Sequence, residues 1–406
     1  MIIKPARRTL SVQEYYFSRK LAEIASMNEA RKSSGLPPVI NLGIGAPDGM
    51  PPEGALEALN KEAAQSGAHI YQNYHGIPQL REAFASWYGK FYGVQLDPTC
   101  EIQPLVGSKE GILLLSLAFL DKGDKVLVPD PGYPTYTSAS KMVEAQILTY
   151  DLVEERGWMP DFDHLEAMDL DGVKLMWVNY PHMPTGARAT KELFSRLVDF
   201  GRRHSILIVN DNPYSCILTE ERLSLMAVPG AMDCCMELNS LSKAYNMSGW
   251  RLGMICGSAE MIGEVLKVKT QMDSGIFRPL QMAAVAALGE GEEWFSSLNA
   301  SYRERREVAG KIFSEIGAAF NPDSAGLFLW GRVSPDNPLA LMTQDPQGSR
   351  SLGERVSDSI LYKGGVFITP GFIFGKNGEN YIRISLCAPP SVLNRSLQII
   401  QSLKGE

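Results

Sequence analysis

The chain has 406 residues, enough for one large domain with a smaller partner, and 45% hydrophobic and 21% charged residues are typical of a globular protein. The net charge is −7 and basic residues are spread along the chain, so we expect small-molecule partners, not nucleic acid or membrane lipid. No apolar stretch is long enough to span a bilayer, and metal-ligand spacings and a Gly-x-Ser-x-Gly elbow are missing. These features predict a cytoplasmic protein without a metal site.

Short apolar segments alternate with amphipathic ones between about residues 100 and 270. This rhythm is typical of βαβ units around a mostly parallel sheet, and it predicts an α/β fold. Apolar spacing predicts helices at 111–120 and 190–204. The predicted strands are 125–130, 173–180, 206–211, 234–240 and 251–257.

The last quarter of the chain has a different pattern. A long polar-faced helix is predicted at 292–317, followed by strands at 326–333 and 381–388. We therefore expect a smaller α+β domain formed by residues 1–46 and 289–406, beside a large α/β domain over residues 47–288.

Polar and turn residues cluster where the predicted strands end. The clusters are Asp130-Pro131-Gly132, Asn179 to Gly186, Asp211-Asn212-Pro213 and Asn239-Ser240. Open α/β sheets bind ligands outside the carboxyl ends of their strands. The clusters are therefore expected to meet in one crevice.

The segment NSLSKAYNMSGWRLG, residues 239–253, places a lysine among hydroxyls with an arginine eight residues further on. Such a lysine is an amine nucleophile beside groups suited to an anion, although in isolation it also fits a solvated loop. The segment resembles the pyridoxal-phosphate attachment motif of class I aminotransferases, the fold type I family related to aspartate aminotransferase. The residues in register with that motif are Ser240, Ser242, Lys243, Gly249, Arg251 and Gly253.

The resemblance implies a seven-stranded type of sheet, pyridoxal 5′-phosphate as cofactor and a homodimer with shared active sites. It implies that Lys243 forms a Schiff base with the cofactor and later moves the α-proton of the substrate. Ser240, Ser242 and Arg251 would hold the cofactor phosphate. A lysine can fill both roles when its surroundings lower its pKa.

Two further segments match the same family. NDNPYSCI, residues 210–217, implies that Asp211 faces the pyridine nitrogen and that Tyr214 donates to the cofactor O3′. VGSKEGILLL, residues 106–115, is a glycine-serine turn before an apolar helix, where Ser108 and Lys109 would cap the phosphate. By itself each segment also fits an ordinary turn.

Two aromatic residues complete the implied cofactor site. PDPGYPTY, residues 129–136, resembles the segment whose ring stacks on the cofactor, which assigns Tyr133. YQNYHGIPQLREAF, residues 71–84, resembles the segment whose tyrosine reaches the phosphate of the neighbouring subunit. The spacing to Gly76 selects Tyr71 instead of Tyr74.

The substrate carboxylate is assigned to the two ends of the match. INLGIGAPD, residues 40–48, and YIRISL, residues 381–386, imply that Arg383 clamps the α-carboxylate while Ile44 and Gly45 approach it. In isolation Arg383 also fits an exposed strand arginine paired with an acid. The matches run from about residue 40 to 388 in the order of the family.

One residue departs from the family pattern. Met183 precedes Pro-Thr-Gly, where most relatives have an asparagine that donates to O3′ and contacts the substrate carboxylate. A thioether cannot donate a hydrogen bond, so Tyr214 would remain the main O3′ partner and the pKa of the Lys243 Schiff base would rise. His182 and Asn179 stay open as replacement donors.

The sequence therefore predicts an aminotransferase that moves the amino group of an L-amino acid to a 2-oxo acid, with 2-oxoglutarate as the expected acceptor. A lyase carrying out β-elimination shares the same motifs, and a non-catalytic ligand-sensing module is the rival from another class. The residues that recognise the distal part of the substrate stay open among Tyr15, Tyr16, Lys109 and Arg278.

Overall fold

A computed structural model describes residues 2–343, 345 and 348–403 of the chain. The strands are β1 (Ile40–Asn41), β2 (Ile102–Leu105), β3 (Lys125–Asp130), β4 (Gln146–Asp151), β5 (Val173–Val178), β6 (Leu207–Asp211), β7 (Cys235–Ser240), β8 (Gly253–Cys256), β9 (Ala318–Phe320), β10 (Phe328–Val333), β11 (Val366–Phe367), β12 (Thr369–Pro370) and β13 (Tyr381–Ser385). The α-helices are α1 (Arg7–Leu10), α2 (Tyr16–Ser33), α3 (Glu53–Ala63), α4 (Pro78–Tyr92), α5 (Ser108–Phe119), α6 (Pro134–Met142), α7 (Phe162–Ala167), α8 (Lys191–His204), α9 (Ala231–Cys234), α10 (Leu241–Ala244), α11 (Ala259–Lys269), α12 (Arg278–Leu288), α13 (Glu292–Ile316), α14 (Pro338–Leu341), α15 (Leu352–Ser359) and α16 (Pro390–Leu403).

The central sheet has seven strands in the order β2-β8-β7-β6-β5-β3-β4. All neighbouring pairs are parallel except those that involve β8, which is antiparallel to both β2 and β7. This arrangement confirms the α/β class and the mostly parallel sheet. Six of the strands carry their carboxyl ends to the same edge, as the crevice prediction requires.

Both faces of the central sheet are covered, because successive strand residues point to opposite sides. Leu175 and Trp177 of β5 face a cluster built with α5, α6 and α11. Met176 and Val178 face a cluster built with α4, α8 and α12. The apolar, non-alternating sequence of β5 follows from this double burial.

A second sheet, with the order β12-β13-β10-β9, is antiparallel throughout. Its buried residues form one cluster with the long helix α13 and with α15 and α16. The N-terminal part joins this cluster because β1 pairs in parallel with β11, Ile40 opposite Val366. A smaller α+β unit that uses both ends of the chain is thus present, while the boundaries at residues 46 and 288 stay a prediction.

The segment 371–378 lies against the end of β3 in the central sheet. The carboxylate of Asp130 accepts the backbone N–H groups of Lys376 and Asn377, each at 3.0 Å. The Gly132 N–H donates to the Phe374 carbonyl at 2.7 Å. These bonds fix the segment that carries Phe374 beside the crevice. None of the described helices is long and apolar enough to cross a membrane.

Candidate active site

A cavity of about 280 Å³ lies where β5, β6 and β7 end. Of the residues assigned to the cofactor or to the substrate α-carboxylate, Tyr71 alone does not line it. Of the candidates for distal recognition, Tyr15 and Lys109 line the cavity, whereas Tyr16 and Arg278 do not. The predicted residues that line the cavity are Ile44, Gly45, Ser108, Lys109, Tyr133, Asp211, Tyr214, Ser240, Ser242, Lys243, Arg251 and Arg383. The fold therefore brings together segments that are separated by more than 300 residues in the sequence.

Lys243 lies on α10, directly after β7. Ser240 caps this short helix, since its Oγ accepts the Ser242 N–H at 3.2 Å. The half-buried Lys243 Nζ donates to the Gly45 carbonyl, which places the amine on the cavity wall. Burial lowers the pKa of Lys243, and the charges of Arg383 and Arg251 act in the same direction. A lowered pKa favours the neutral, nucleophilic form of the amine.

Asp211 is the last residue of β6 and is buried. Its Oδ2 accepts the Tyr136 hydroxyl at 2.9 Å, and Tyr136 in turn stacks on Trp177 with ring centroids 4.9 Å apart. Within the described chain Oδ1 is buried without a hydrogen-bond partner. Burial raises the pKa of Asp211 to about 6. A buried carboxylate oxygen without a donor suits a protonated ring nitrogen.

A group of donors suited to a phosphate lies at another part of the wall. Ser108 is the first residue of α5, whose free N–H groups attract anions, and the Ser240 and Ser242 hydroxyls lie 2.9 Å apart. Arg251 Nη1 donates to the Ser248 carbonyl at 2.8 Å. Gly107 has φ +77°, a conformation that other residues rarely adopt, and an added Cβ would lie 2.2 Å from Arg251 Nη2 and displace that guanidinium. The residues present thus fit a phosphate-bearing cofactor.

Arg383 on β13 is buried, and no carboxylate of the described chain pairs with it. Its Nη2 donates to the Gly43 carbonyl at 2.8 Å, while Nε has no partner among the described residues. The guanidinium lies 3.9 Å from the ring centroid of Phe328. Burial lowers the pKa of Arg383 to about 10, so the group is still a cation at neutral pH. An unpaired buried cation is suited to an incoming carboxylate.

Met183 is buried on the wall between these groups. Its sulfur accepts from Arg383 Nη1 at 3.2 Å, and its backbone N–H donates to Asn179 Oδ1 at 2.8 Å. The Asn179 amide nitrogen donates to the Asp211 carbonyl, so both ends of this side chain are engaged. His182 is outside the cavity lining and its Nδ1 lies 2.8 Å from the Thr185 hydroxyl. Of the two replacement donors, only Asn179 reaches the cavity.

Tyr214 and Tyr133 line the cavity as expected. Burial raises the pKa of Tyr214 well above its ordinary value, so the hydroxyl stays protonated and can donate. Tyr133 packs edge-on against Tyr136 with ring centroids 5.6 Å apart. Tyr136 itself was missed, although it belongs to the same PDPGYPTY segment, because nothing in the sequence shows that its hydroxyl reaches Asp211.

Aromatic rings from distant segments form the rest of the wall. Phe17, Phe328 and Phe374 surround the Arg383 guanidinium, and the sequence offers no signal for them. Lys109 Nζ lies 4.5 Å from the ring centroid of Tyr15. By contrast, Tyr71 is 88% exposed on the outer surface.

A lysine amine, a buried carboxylate and a cluster of anion donors face one cavity, which defines a site for a phosphorylated carbonyl cofactor. A sequence profile of the aminotransferase class I and II family matches residues 37–400. The LL-diaminopimelate aminotransferase of Nitratidesulfovibrio vulgaris is 38% identical over 368 residues, covering 90% of this chain and 91% of the relative. That of Dehalococcoides mccartyi is 36% identical over 409 residues and covers both chains fully.

Solved structures agree with this similarity. Substrate-bound BacF from Bacillus subtilis superposes with a TM-score of 0.90 at 31% identity, covering 99% of this chain and 98% of that chain. A double mutant of Thermus thermophilus aspartate aminotransferase gives a TM-score of 0.86 at 25% identity, covering 99% and 100%. The chain belongs to the class I and II aminotransferases. It is a pyridoxal-phosphate-dependent aminotransferase, and none of these similarities points to a lyase.

Proposed function

We propose that this aminotransferase takes an amino donor with a second, distal carboxylate, LL-diaminopimelate foremost, and passes its amino group to 2-oxoglutarate. The proposal rests on the position of Lys109, which lines the same cavity as Lys243 and Arg383. Across the described residues, no carboxylate lies within ion-pairing distance of its Nζ. A free cation at each substrate end suits a dicarboxylic donor. The name of the 36–38% identical relatives supports this choice.

We infer that the residues hold the cofactor as follows. Lys243 Nζ would bind it covalently, Asp211 would hold the proton on the ring nitrogen, and Tyr214 would donate to the ring hydroxyl oxygen. Ser108, Tyr133 and the Ser240–Ser242 pair with Arg251 would complete the set. Lys109, which the family resemblance assigns to the phosphate, is proposed here for the distal carboxylate of the substrate instead. Pyridoxal phosphate supplies a carbonyl that condenses with amines and a ring that withdraws electrons from the substrate Cα.

The chain's own part in the reaction is binding and proton movement. Arg383 orients the substrate through its α-carboxylate, with Ile44 and Gly45 close by. Gly45 lets the backbone come close, since an added Cβ would lie 2.2 Å from the Phe328 ring. Once the amine of the donor has displaced Lys243 from its covalent bond, Lys243 can take the Cα proton as a neutral amine, which its lowered pKa favours.

We also infer a homodimer in which Tyr71 reaches the partner's phosphate site. Support comes from exposed apolar side chains around Tyr71, since Ile70 is 69%, Tyr74 40% and Phe277 42% exposed. Residues 47–288 would form the large domain, and residues 1–46 with 289–406 the small one. All six cysteines are free thiols, which suits a reducing cytoplasm.

Glutamate formation from 2-oxoglutarate with different donors tests the proposal. We expect Lys109→Met to lower kcat/KM for LL-diaminopimelate by about 10- to 100-fold, the effect of losing one charge-assisted bond. With alanine and phenylalanine, which lack a distal carboxylate, the change should stay within about twofold. Lys122→Met, at an exposed lysine, is the matched control. Equal losses with all donors would contradict the assignment of Lys109 to the substrate.

A further inference from the structure

Lys269, the last residue of α11, is fully buried although it carries a charge. Its Nζ donates to Glu110 Oε1 at 2.9 Å and to Asp273 Oδ2 at 2.5 Å. Lys267, two residues earlier, is 72% exposed and pairs with Glu264 at the surface. A buried ammonium is costly unless it is paired, and here two carboxylates compensate it. The proposed reaction uses none of these three groups.

Glu110 connects Lys269 to the phosphate-binding turn. Its Oε2 accepts the backbone N–H of Val106 at 2.6 Å, two residues before Ser108. The Val106 carbonyl accepts from Arg251 Nη2 at 3.4 Å. The peptide that leads into α5 is therefore held by Glu110 on one side and by Arg251 on the other. The orientation of the Glu110 carboxylate depends in turn on Lys269.

Asp273 connects the same lysine to a second loop. Its Oδ1 accepts the Gly275 N–H at 3.1 Å. Gly275, with φ +88°, packs directly on the loop that carries Tyr71, because an added Cβ would lie 2.6 Å from the Gln72 carbonyl oxygen. One buried ammonium thus joins two segments that the proposed cofactor site uses.

We propose that Lys269 is a positioning residue for the phosphate end of the cofactor. Through Glu110 it fixes the backbone from Val106 to Ser108, and through Asp273 it supports the loop beside Tyr71. It touches neither cofactor nor substrate. The inference rests on the proposed role of Ser108 and Arg251 in phosphate binding.

The test compares two probes that differ only in the phosphate. The full-length protein is freed of cofactor and titrated with pyridoxal 5′-phosphate and with pyridoxal, and the dissociation constants are read from absorbance. We expect Lys269→Met to weaken pyridoxal phosphate binding by about tenfold or more, a loss of ~1.4 kcal/mol. Pyridoxal binding should change by less than about twofold, and Lys267→Met should leave both constants unchanged.

The ratio of the two constants separates positioning from a merely structural role. A structural lysine would lower the melting temperature and weaken both probes alike, and that result would overturn the inference. Glu110→Gln keeps an acceptor for the Val106 N–H but removes the charge that orients it toward Lys269. We expect it to change the ratio in the same direction, so the inference stays testable if Lys269→Met fails to fold.

Two further variants complete the design. In the double variant Lys269→Met with Glu110→Gln, the ratio should be no worse than in the more affected single variant, because either substitution already breaks the contact between Lys269 and Glu110. If the effects of the two substitutions on the ratio were fully additive, Lys269 would not act through Glu110. Arg251→Met tests the phosphate site itself, because it removes the cation from the group of anion donors. If Arg251→Met changes the ratio and Lys269→Met does not, the assignment of Lys269 is wrong while the proposed site is retained. If neither variant changes the ratio, the proposed phosphate site is wrong as well.

Discussion

Met183 stands where the resemblance to the family implies an asparagine, and its sulfur accepts from Arg383 Nη1 at 3.2 Å. An asparagine at this position would add an N–H donor toward the cofactor's ring oxygen. We expect Met183→Asn to lower the pH at which the absorption band of the bound cofactor changes, because the added bond favours the deprotonated form. The measurement is a spectrophotometric pH titration of the holoenzyme.

Met183→Leu is the matched control for this titration. Leucine has a similar volume and no hydrogen-bonding atom, so it removes the sulfur contact without adding a donor. The midpoint should therefore move in the asparagine variant alone. If both variants titrate like the unmodified enzyme, residue 183 does not tune the cofactor.

The buried carboxyl of Asp211 should make the free energy of unfolding of the cofactor-free protein depend on pH. Burial raises its pKa to about 6, so the folded chain without cofactor holds this proton more tightly than the unfolded chain does. Above pH 6 the buried charge therefore costs stability. Asp211→Asn keeps an acceptor for the Tyr136 hydroxyl and removes the charge. We expect the cofactor-free variant to gain ~1–3 kcal/mol in free energy of unfolding at pH 8, a gain that vanishes toward pH 4.

The same substitution should have the opposite consequence for catalysis. Loss of the carboxylate that we propose holds the ring-nitrogen proton is expected to lower kcat by about 100-fold or more, as the loss of a preorganised electrostatic contact typically does. Asp169→Asn, at a carboxylate that is 77% exposed and pairs with Lys125, is the control. Denaturant unfolding from pH 4 to 8 provides the stability data. An Asp211→Asn protein without a pH-dependent stability difference would refute the account.

At the scale of elements, the buried strands of the central sheet could be predicted from the sequence, whereas its edge strands could not. β3 was predicted with its observed bounds, and β5, β6 and β7 within two residues, because strands covered on both faces need continuous apolar runs. The two edge strands, β2 and β4, were not predicted. β2 has four residues including Pro104, and β4 contains three polar residues among six, both of which an edge strand tolerates.

Motif residues were also easier to predict than their contacts. Residue type and spacing selected Lys243, Asp211 and Arg383, which all line the cavity. The partners that prepare them come from remote segments, such as Tyr136 on Asp211 and Phe328 on Arg383. Tyr136 reaches Asp211 because α6 packs against the central sheet, and Phe328 reaches Arg383 because β10 pairs with β13. Such contacts depend on tertiary packing and strand pairing, which no local sequence pattern records.

The segment 371–378 is an element whose position depends on Asp130. This carboxylate accepts two backbone N–H groups and so holds Phe374, whose ring centroid lies 4.7 Å from the Arg383 guanidinium. We expect Asp130→Ala to lower the free energy of unfolding by ~2 kcal/mol, since both bonds are charge-assisted. The KM for the amino donor should rise about threefold to tenfold with little change in kcat, because ground-state binding is affected.

Asp151→Ala is the comparison for Asp130. Asp151 makes a single contact to the same segment, accepting from the Asn377 side chain at 2.8 Å. Its removal should therefore have a much smaller effect on both quantities. Steady-state kinetics with one donor and denaturant unfolding are sufficient. A fall in kcat at constant KM in Asp130→Ala would contradict a role in donor binding.

At the scale of the whole molecule, Tyr71 is predicted to belong to the site but lies outside the cavity of its own chain. It lies on the surface beside Ile70, Tyr74 and Phe277, which are also exposed. An exposed apolar cluster of this kind favours burial against another copy of the chain. Whether Tyr71 serves its own site or its partner's can be decided by combining two inactive subunits.

The experiment co-expresses Tyr71→Ala subunits with Lys243→Ala subunits, each carrying a different affinity tag. If Tyr71 acts across the interface, a mixed dimer contains one intact site, made from the unmodified Lys243 of one chain and the unmodified Tyr71 of the other. Random pairing gives mixed dimers in half of the population, so we expect about a quarter of the unmodified specific activity. Doubly tag-purified mixed dimers should approach about half. If Tyr71 acts within its own chain, no combination restores a site, and activity stays at the mean of the two parents.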